Sequence, residues 1–436
     1  MPSTKRPATV AAATAAIVAA LVSLTACGGS GGGDGMKPVS APHNAPPARK
    51  SFDPPHTFGN AGVGLPNEAN QGNIDMAGRL AGHPPISLFR TTAYVASADR
   101  LQAVDTTTGR VRATVEPQRK PLGNNGGTFD RTSVPPPVIA DFHGKSLVVM
   151  PFLVQIPSSG TTPSGTALEM VYVNAENGTR EWRTETVLPA WAGNSFGKVT
   201  TAVVSADRGI AVVRVSDDEH GITYAVSLDT RQTLWQKDLA AAAAADGVVT
   251  ALDPSGIGAQ QHLKGFDLAT GESRWSTKDA SYESSIQAAA PHLLAFSGRD
   301  YGSGHGFTRF LDPRTGEVKG ELPNGTYGLD CLYDGKSATL CGDPSADGQL
   351  IALDASSAQP LWQLPDKNAN RVAPRVSAVW NGVVYGTTGN GPVALDSRTG
   401  ADAKTSPGIA PVLVNGYTGI ALDKDTSTLK AYPTTG

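Results

Sequence analysis

Phe266-Asp267-Leu268-Ala269-Thr270-Gly271-Glu272-Ser273-Arg274-Trp275 reads as two short strands joined by a tight turn. Phe266 and Leu268 flank Asp267, the alternation that a half-buried strand requires. A short carboxylate at the end of a strand accepts backbone N–H groups two residues ahead and nucleates a turn. Gly271 supplies the positive φ that a hairpin loop of this length needs. The returning strand carries Trp275, large enough to fill a gap between packed sheets.

The same pattern recurs along the chain. Leu101 to Asp105 leads into Thr108-Gly109, and Val171 to Asn174 leads into Asn177-Gly178 and Trp182. Ala225 to Asp229 leads into Trp235 with a shortened turn, the Trp coming two residues early. Arg309 to Asp312 leads into Thr315-Gly316, Ile351 to Asp354 into Trp362, and Val393 to Asp396 into Thr399-Gly400. Leu429 to Tyr432 leads into Thr435-Gly436, with Tyr432 in the Asp position. Trp182, Trp275 and Trp362 share one offset from their Asp or Asn. After the first two copies the spacing settles near ~40 residues, a period that signals propellers or solenoids. Each unit reads as four antiparallel strands, which is a propeller blade. Eight units fit, from about Ile86, Pro137, Thr200, Ala240, Ser285, Leu329, Val376 and Pro411. The eighth stops at Gly436 where its fourth strand is due. An open ring would leave an unpaired edge, so a segment within residues 51–82 is expected to supply that strand. Ala240 to Ala245 are strong helix formers, yet the repeat places them in the inner strand of blade four, where small side chains suit a crowded channel.

The units resemble PQQ-type β-propeller repeats, found in quinoprotein dehydrogenases and in BamB-type lipoproteins of outer-membrane assembly. The resemblance runs from about residue 86 to the end. It implies an all-β fold, an eight-bladed β-propeller of four-stranded antiparallel blades. It also implies that the Trp strands are outermost and that Trp182, Trp235, Trp275 and Trp362 dock between blades. Blades one, five and seven lack that Trp, so their packing must differ.

The first residues read as an export signal. Lys5 and Arg6 precede an apolar stretch from Ala8 to Leu24, the plan of a signal peptide. Leu24-Thr25-Ala26-Cys27 resembles the lipobox of bacterial lipoproteins, which implies acylation of Cys27. The other reading is a plain signal peptide or a weakly hydrophobic anchor. Residues 1–26 are thus expected to be removed, and 27–51, rich in Gly, Ser and Pro, to form a disordered linker. Residues 52–436 form the propeller. Loss of Lys5 and Arg6 moves the formal charge from -3 to -5; no nucleic-acid partner is expected. The expected address is the extracytoplasmic side of a bacterial cell membrane, held by lipid alone, as a monomer. Cys331 and Cys341 flank the turn signal Asp334-Gly335-Lys336. In an exported compartment they are expected to form a disulfide; the other reading is two buried thiols.

Strand order places the loops. First-to-second and third-to-fourth connections share one face, and these are short. The long insertions, residues 116–136, 155–167, 185–198, 253–262 and 299–307, all fall on the other face. Long loops on a rigid scaffold carry binding. They hold Arg119, Lys120, Phe129, Trp191, Phe196, Tyr301 and His305, residue types that suit a protein interface. Catalytic signals are weak. Ser195 to Lys198 matches Ser-x-x-Lys without its companion motifs. The His residues show no paired metal spacing. Asp343, Ser345, Asp347, Gly348 and Asp354 lack the terminal Glu of a calcium loop. No catalytic residue, metal or cofactor is expected. The expected function is a non-enzymatic scaffold for an unidentified protein or envelope polymer; the alternative is a PQQ- and calcium-dependent dehydrogenase or a small-ligand sensor.

Overall fold

The computed structural model describes residues 49–70, 83–122, 134–194, 199–253, 260–323, 326–342, 348–423 and 425–436. Cys27, the leader and most of the linker lie outside them, as do Phe129 and Phe196. The described chain forms eight sheets of four strands, each antiparallel throughout. This is the eight-bladed propeller that PQQ-like repeats imply. Seven sheets are sequential; blade four, for example, runs Ala241–Ala245, Val248–Asp253, His262–Asp267, Ser273–Ser276. The alanine run is a strand because its neighbours on both sides bury it between blades, which outweighs helix propensity.

Both faces of each blade pack on a neighbour, so middle strands are buried along most of their length rather than alternating. All five residues of Thr92–Ala96 are buried. The core is therefore a ring of interblade layers. One layer joins Tyr94, Leu101 and Ala103 of blade one to Val148, Met150, Phe152 and Val171 of blade two. Another joins Phe310 and Leu293 of blade five to Leu353 and the cysteines of blade six. Cys331 and Cys341 sit opposite each other on adjacent strands and form a disulfide, with Cα atoms 4.0 Å apart. Asp334 closes the turn between them. Its Oδ1 accepts the backbone N–H groups of Lys336 (2.7 Å), Ser337 (2.8 Å) and Ala338 (3.0 Å), and Ser397 Oγ of blade seven donates to Oδ2 at 2.6 Å.

The recurring turn works as its chemistry dictates. Asp267 Oδ1 accepts N–H groups from Thr270 (2.8 Å) and Ala269 (2.9 Å), and Oδ2 pairs with Arg274. The Thr270 amide first, then Arg274, holds the Asp267 carboxyl down to about 2. Four residues on, Gly271 has a φ of 72°. Eight residues on, Trp275 leans onto the turn of the next blade and donates Nε1–H to Pro313 O at 2.8 Å. Trp235 donates to Leu268 O and Trp362 to Ser397 O, each at 2.9 Å. Each of these Trp rings lies against the turn Gly of the following blade, where a Cβ would come within 3 Å of it: Gly271 under Trp235, Gly316 under Trp275, Gly400 under Trp362. In blade five, where the Trp is missing, the pair changes size together. Gly320 stands in the Trp position of blade five and faces Ala358 in the Gly position of blade six.

Register corrects two sequence assignments. In blade three the first residue of the second strand, Ile210, pairs with Ser227, as Val248 pairs with Asp267 in blade four. Ser227, not Asp229, thus holds the turn, its Oγ accepting Thr230 N at 3.1 Å. The turn is of normal length, and Trp235 lies at the common offset. Asp229 instead meets His143 Nε2 at 2.6 Å. In blade eight Thr418 pairs with Pro433, so Pro433 rather than Tyr432 occupies the Asp position.

Blade three also breaks the Gly rule, since Arg231 stands there with a φ of 61°. Its guanidinium lies 5.0 Å from the Trp182 ring centroid, and Trp182 Nε1 is buried with no partner. Replacing Arg231 by Gly relieves a left-handed conformation that costs an L-residue about 1–2 kcal/mol. It also frees Trp182 to reach the turn, at the loss of a cation–π contact of roughly 0.5–1 kcal/mol. Arg231→Gly is therefore expected to stabilise by about 1 kcal/mol, read by denaturant unfolding; a loss of stability would show that Trp182 depends on the Arg.

The eighth sheet is completed from the other end of the described chain. Val63–Gly64 pairs with Thr428–Pro433, Val63 opposite Ala431. Gly59 N donates to Pro433 O at 2.8 Å, the bond that Gly271 makes to Asp267 in blade four. Gly59 and Val63 therefore take the Gly and Trp positions of blade eight, with the same spacing of four. Val63 and Gly64 lie over Gly109 of blade one, whose Cβ would meet Gly64 O at 2.8 Å. The ring closes with the same contact that joins the other blades. Further back, Pro55 O accepts the Tyr385 hydroxyl at 2.7 Å and Asp53 Oδ1 accepts Trp380 Nε1–H at 2.7 Å, so residues 53–64 clasp blades seven and eight together.

Candidate binding face

Strand order puts the second-to-third connections and the interblade links on one face, and the extended strands of blade two build it up. Lys145–Ile156 and Gly165–Asn174 are twelve and ten residues long, and Lys145–Ile156 outruns its inner partner Val138–Phe142. Residues 120–122 take that partner's place. Pro121 bridges to Val154, Gln155 N donates to Lys120 O at 2.8 Å, and Leu122 N donates to Leu153 O at 2.9 Å.

A buried carboxylate pins this insertion. Glu169 is 0% exposed, and its oxygens accept Gln118 N at 2.8 and 3.1 Å and Arg119 N at 3.4 Å. Backbone N–H groups on a buried carboxylate satisfy it strongly. The Arg119 side chain turns to Glu185, with Nε 3.0 and 2.9 Å from its two oxygens. Arg183 adds a contact to Glu185 at 3.2 Å. The Arg119 guanidinium holds the Glu185 carboxyl below its usual range. Arg119 is thus a member of an ion-pair network rather than a free anchor.

Trp191 begins a single helical turn, Trp191–Asn194, between blades two and three. Its ring stacks on His220 of blade three at 5.2 Å and 11°. His220 belongs to the second-to-third loop, whose Asp217 Oδ1 accepts His220 N at 2.6 Å and lies 3.2 Å from its Nδ1.

Tyr301 and His305 belong to a separate cluster on blade five. Tyr301 is 54% exposed and stands edge-on to Tyr282, centroids 6.3 Å apart. His305 helps form the loop through its backbone, its O accepting Asp300 N at 2.9 Å. Arg299 lies over the exposed Tyr327 ring, 4.4 Å from its centroid, and bonds Glu283 at 3.1 Å and Gly304 O at 3.2 Å. The structure thus divides the sequence-derived residues into two groups, Arg119, Lys120 and Trp191 on blades two and three, Tyr301 and His305 on blade five.

Glu169, His220, Tyr282, Arg299 and Tyr327 escape the sequence reading. The signal for Glu169 is one acid in the middle of an apolar strand. Tyr327 sits in an interblade link too short to count as an insertion. Among the described residues no group of three His, Cys, Asp or Glu is placed to hold a metal ion.

No family model matches the chain, and no curated protein does. Among solved structures it is similar to BamB from Moraxella catarrhalis, with 13% identity and a TM-score of 0.42 over 80% of this chain and 95% of that one. It is similar to the computationally designed Ika8 protein, with 14% identity and a TM-score of 0.46 over 80% and 95%. It is similar to the Dos1 propeller, with 12% identity and a TM-score of 0.43 over 75% and 81%. These likenesses are of propeller to propeller and stop at the fold.

Proposed function

We propose that the protein is a lipid-anchored, extracytoplasmic propeller scaffold that binds a protein or cell-envelope partner through its long-loop face and catalyses nothing. The observation that carries this reading is the pinned long-loop face. A buried Glu169 fixes the 118–122 insertion, and Trp191 is held there by stacking, Tyr301 by an edge-on ring contact, and Arg299 and Tyr327 by a cation–π contact. Aromatic and Arg side chains in fixed positions bind at low entropic cost. The disulfide supports an oxidising compartment, and among the described residues no helix is long and apolar enough to cross a membrane. The lipobox-like Leu24-Thr25-Ala26-Cys27 supports attachment through Cys27.

The test is photo-crosslinking in the native cell from position 301 or 191, with position 143 on the short-turn face as control. A discrete adduct from the long-loop positions and none from 143 is expected. Combining Tyr301→Ala with Tyr327→Ala is expected to cut the yield from position 191 or its partner's affinity by about tenfold or more, the loss typical of aromatic anchors. Equal labelling from both faces would remove the face assignment.

A further inference from the structure

We propose that Arg214, with the hydroxyls of Thr200 and Ser216, forms a site for one oxyanion group, a phosphate or carboxylate, at the long-loop end of the cleft between blades three and four. Arg214 lies in the strand Ile210–Ser216, opposite Ala202 on one side and Thr223 on the other. Residues opposite each other in antiparallel strands share a face of the sheet, and so do residues two apart. Val212 packs with Ala241 and Val249 of blade four, so Arg214 faces blade four as well. Its Nη1 donates to Ala241 O at 3.3 Å, and its Nε is buried without a partner.

Arg119, Arg183 and Arg309 each meet a carboxylate. Arg214 meets none among the described residues. Burial acts on it alone and lowers its pKa, with no carboxylate opposing. A half-buried cation with no counter-ion is destabilising, which makes it a place for a ligand's charge.

The surroundings fit a small anion. Thr200 pairs with Ser216, two residues along from Arg214 on the same side; the Thr200 hydroxyl donates to Ser216 O at 3.3 Å and lies 3.4 Å from Ser216 Oγ, bonds an anion would compete with. The strand across the cleft is Ala241–Ala245, and Ala202 lines the inner side. No side chain longer than a methyl comes from these positions, so the alanine run leaves the guanidinium room. A planar guanidinium takes a carboxylate or phosphate with two parallel bonds, and adjacent hydroxyls add donors. This site does not rest on the scaffold reading, since it asks for a small group and no partner protein.

The experiment is thermal unfolding of the intact chain in sodium chloride, sodium acetate and sodium phosphate at matched ionic strength. Acetate or phosphate is expected to raise Tm saturably over chloride, by about 4 °C at a hundredfold excess over Kd; which of the two acts distinguishes carboxylate from phosphate. Arg214→Met is expected to lose that rise while unfolding in chloride at the same temperature or higher. No rise over chloride, an undiminished rise in Arg214→Met, or a lower Tm of that variant in chloride would each overturn the site.

Discussion

A chain lacking residues 52–70 unfolds at least about 10 °C below the intact protein. The segment looks like an extension, but it carries Phe58 and Leu65, both buried, and supplies the fourth strand of blade eight. Each large apolar side chain removed from a core costs roughly 2–5 kcal/mol, and each lost hydrogen bond about 1 kcal/mol. The sum approaches the whole stability of an ordinary domain, roughly 5–15 kcal/mol. Opening the ring also bares the edge of Thr428–Pro433, and exposed edges associate. The measurement is thermal unfolding with light scattering, comparing intact and deleted chains. A peptide of residues 52–70 added in trans should restore Tm and suppress scattering. A deleted chain that melts within 2–3 °C of the intact one, on the usual relation of stability to Tm, would show that seven complete blades and three strands stand without the clasp.

The fold was legible because it is repeated. One hairpin is ambiguous, but a Trp at a fixed offset from an Asp or Asn, three times over, constrains register as well as fold. Legibility failed where chemistry can be substituted. In blade three a serine hydroxyl does what a carboxylate does elsewhere, and Asp229, two residues later, is a decoy. In blade eight Pro433 stands in the Asp position, and the Gly59 that donates to its carbonyl comes from a distant part of the chain. The face carrying the insertions follows from strand order alone, so it too was legible. Its side-chain partners were not. Arg119 and Glu185 are joined across 66 positions of sequence, and no local pattern marks such a pair. Tyr282 faces Arg299 across adjacent strands of blade five, and Tyr327 reaches Arg299 from the link to blade six, neither of which a local pattern marks.

Gly316→Ala is expected to cost about 3 kcal/mol, although it adds one methyl to a surface turn. Gly316 has a φ of 72°, and its Cβ would stand 2.6 Å from the Trp275 ring. The left-handed conformation alone costs an L-residue about 1–2 kcal/mol. Forcing a methyl against a packed side chain adds typically 1–3 kcal/mol. Gly144 separates the two terms. Its φ is 73°, yet no atom lies within 4 Å of its Cβ position, so Gly144→Ala should cost only about 1 kcal/mol. The chain already contains the compensated pair, Gly320 facing Ala358. Copying it, Trp275→Gly should make Gly316→Ala cheap, about 1 kcal/mol in that background. The difference, a coupling of about 2 kcal/mol between residues 275 and 316, measures the blade-to-blade dock directly. A double-mutant cycle by denaturant unfolding reads it. Additive effects would mean that the Trp and the turn glycine, though in contact, do not set each other's size, and that the blades are held by their apolar middle strands alone.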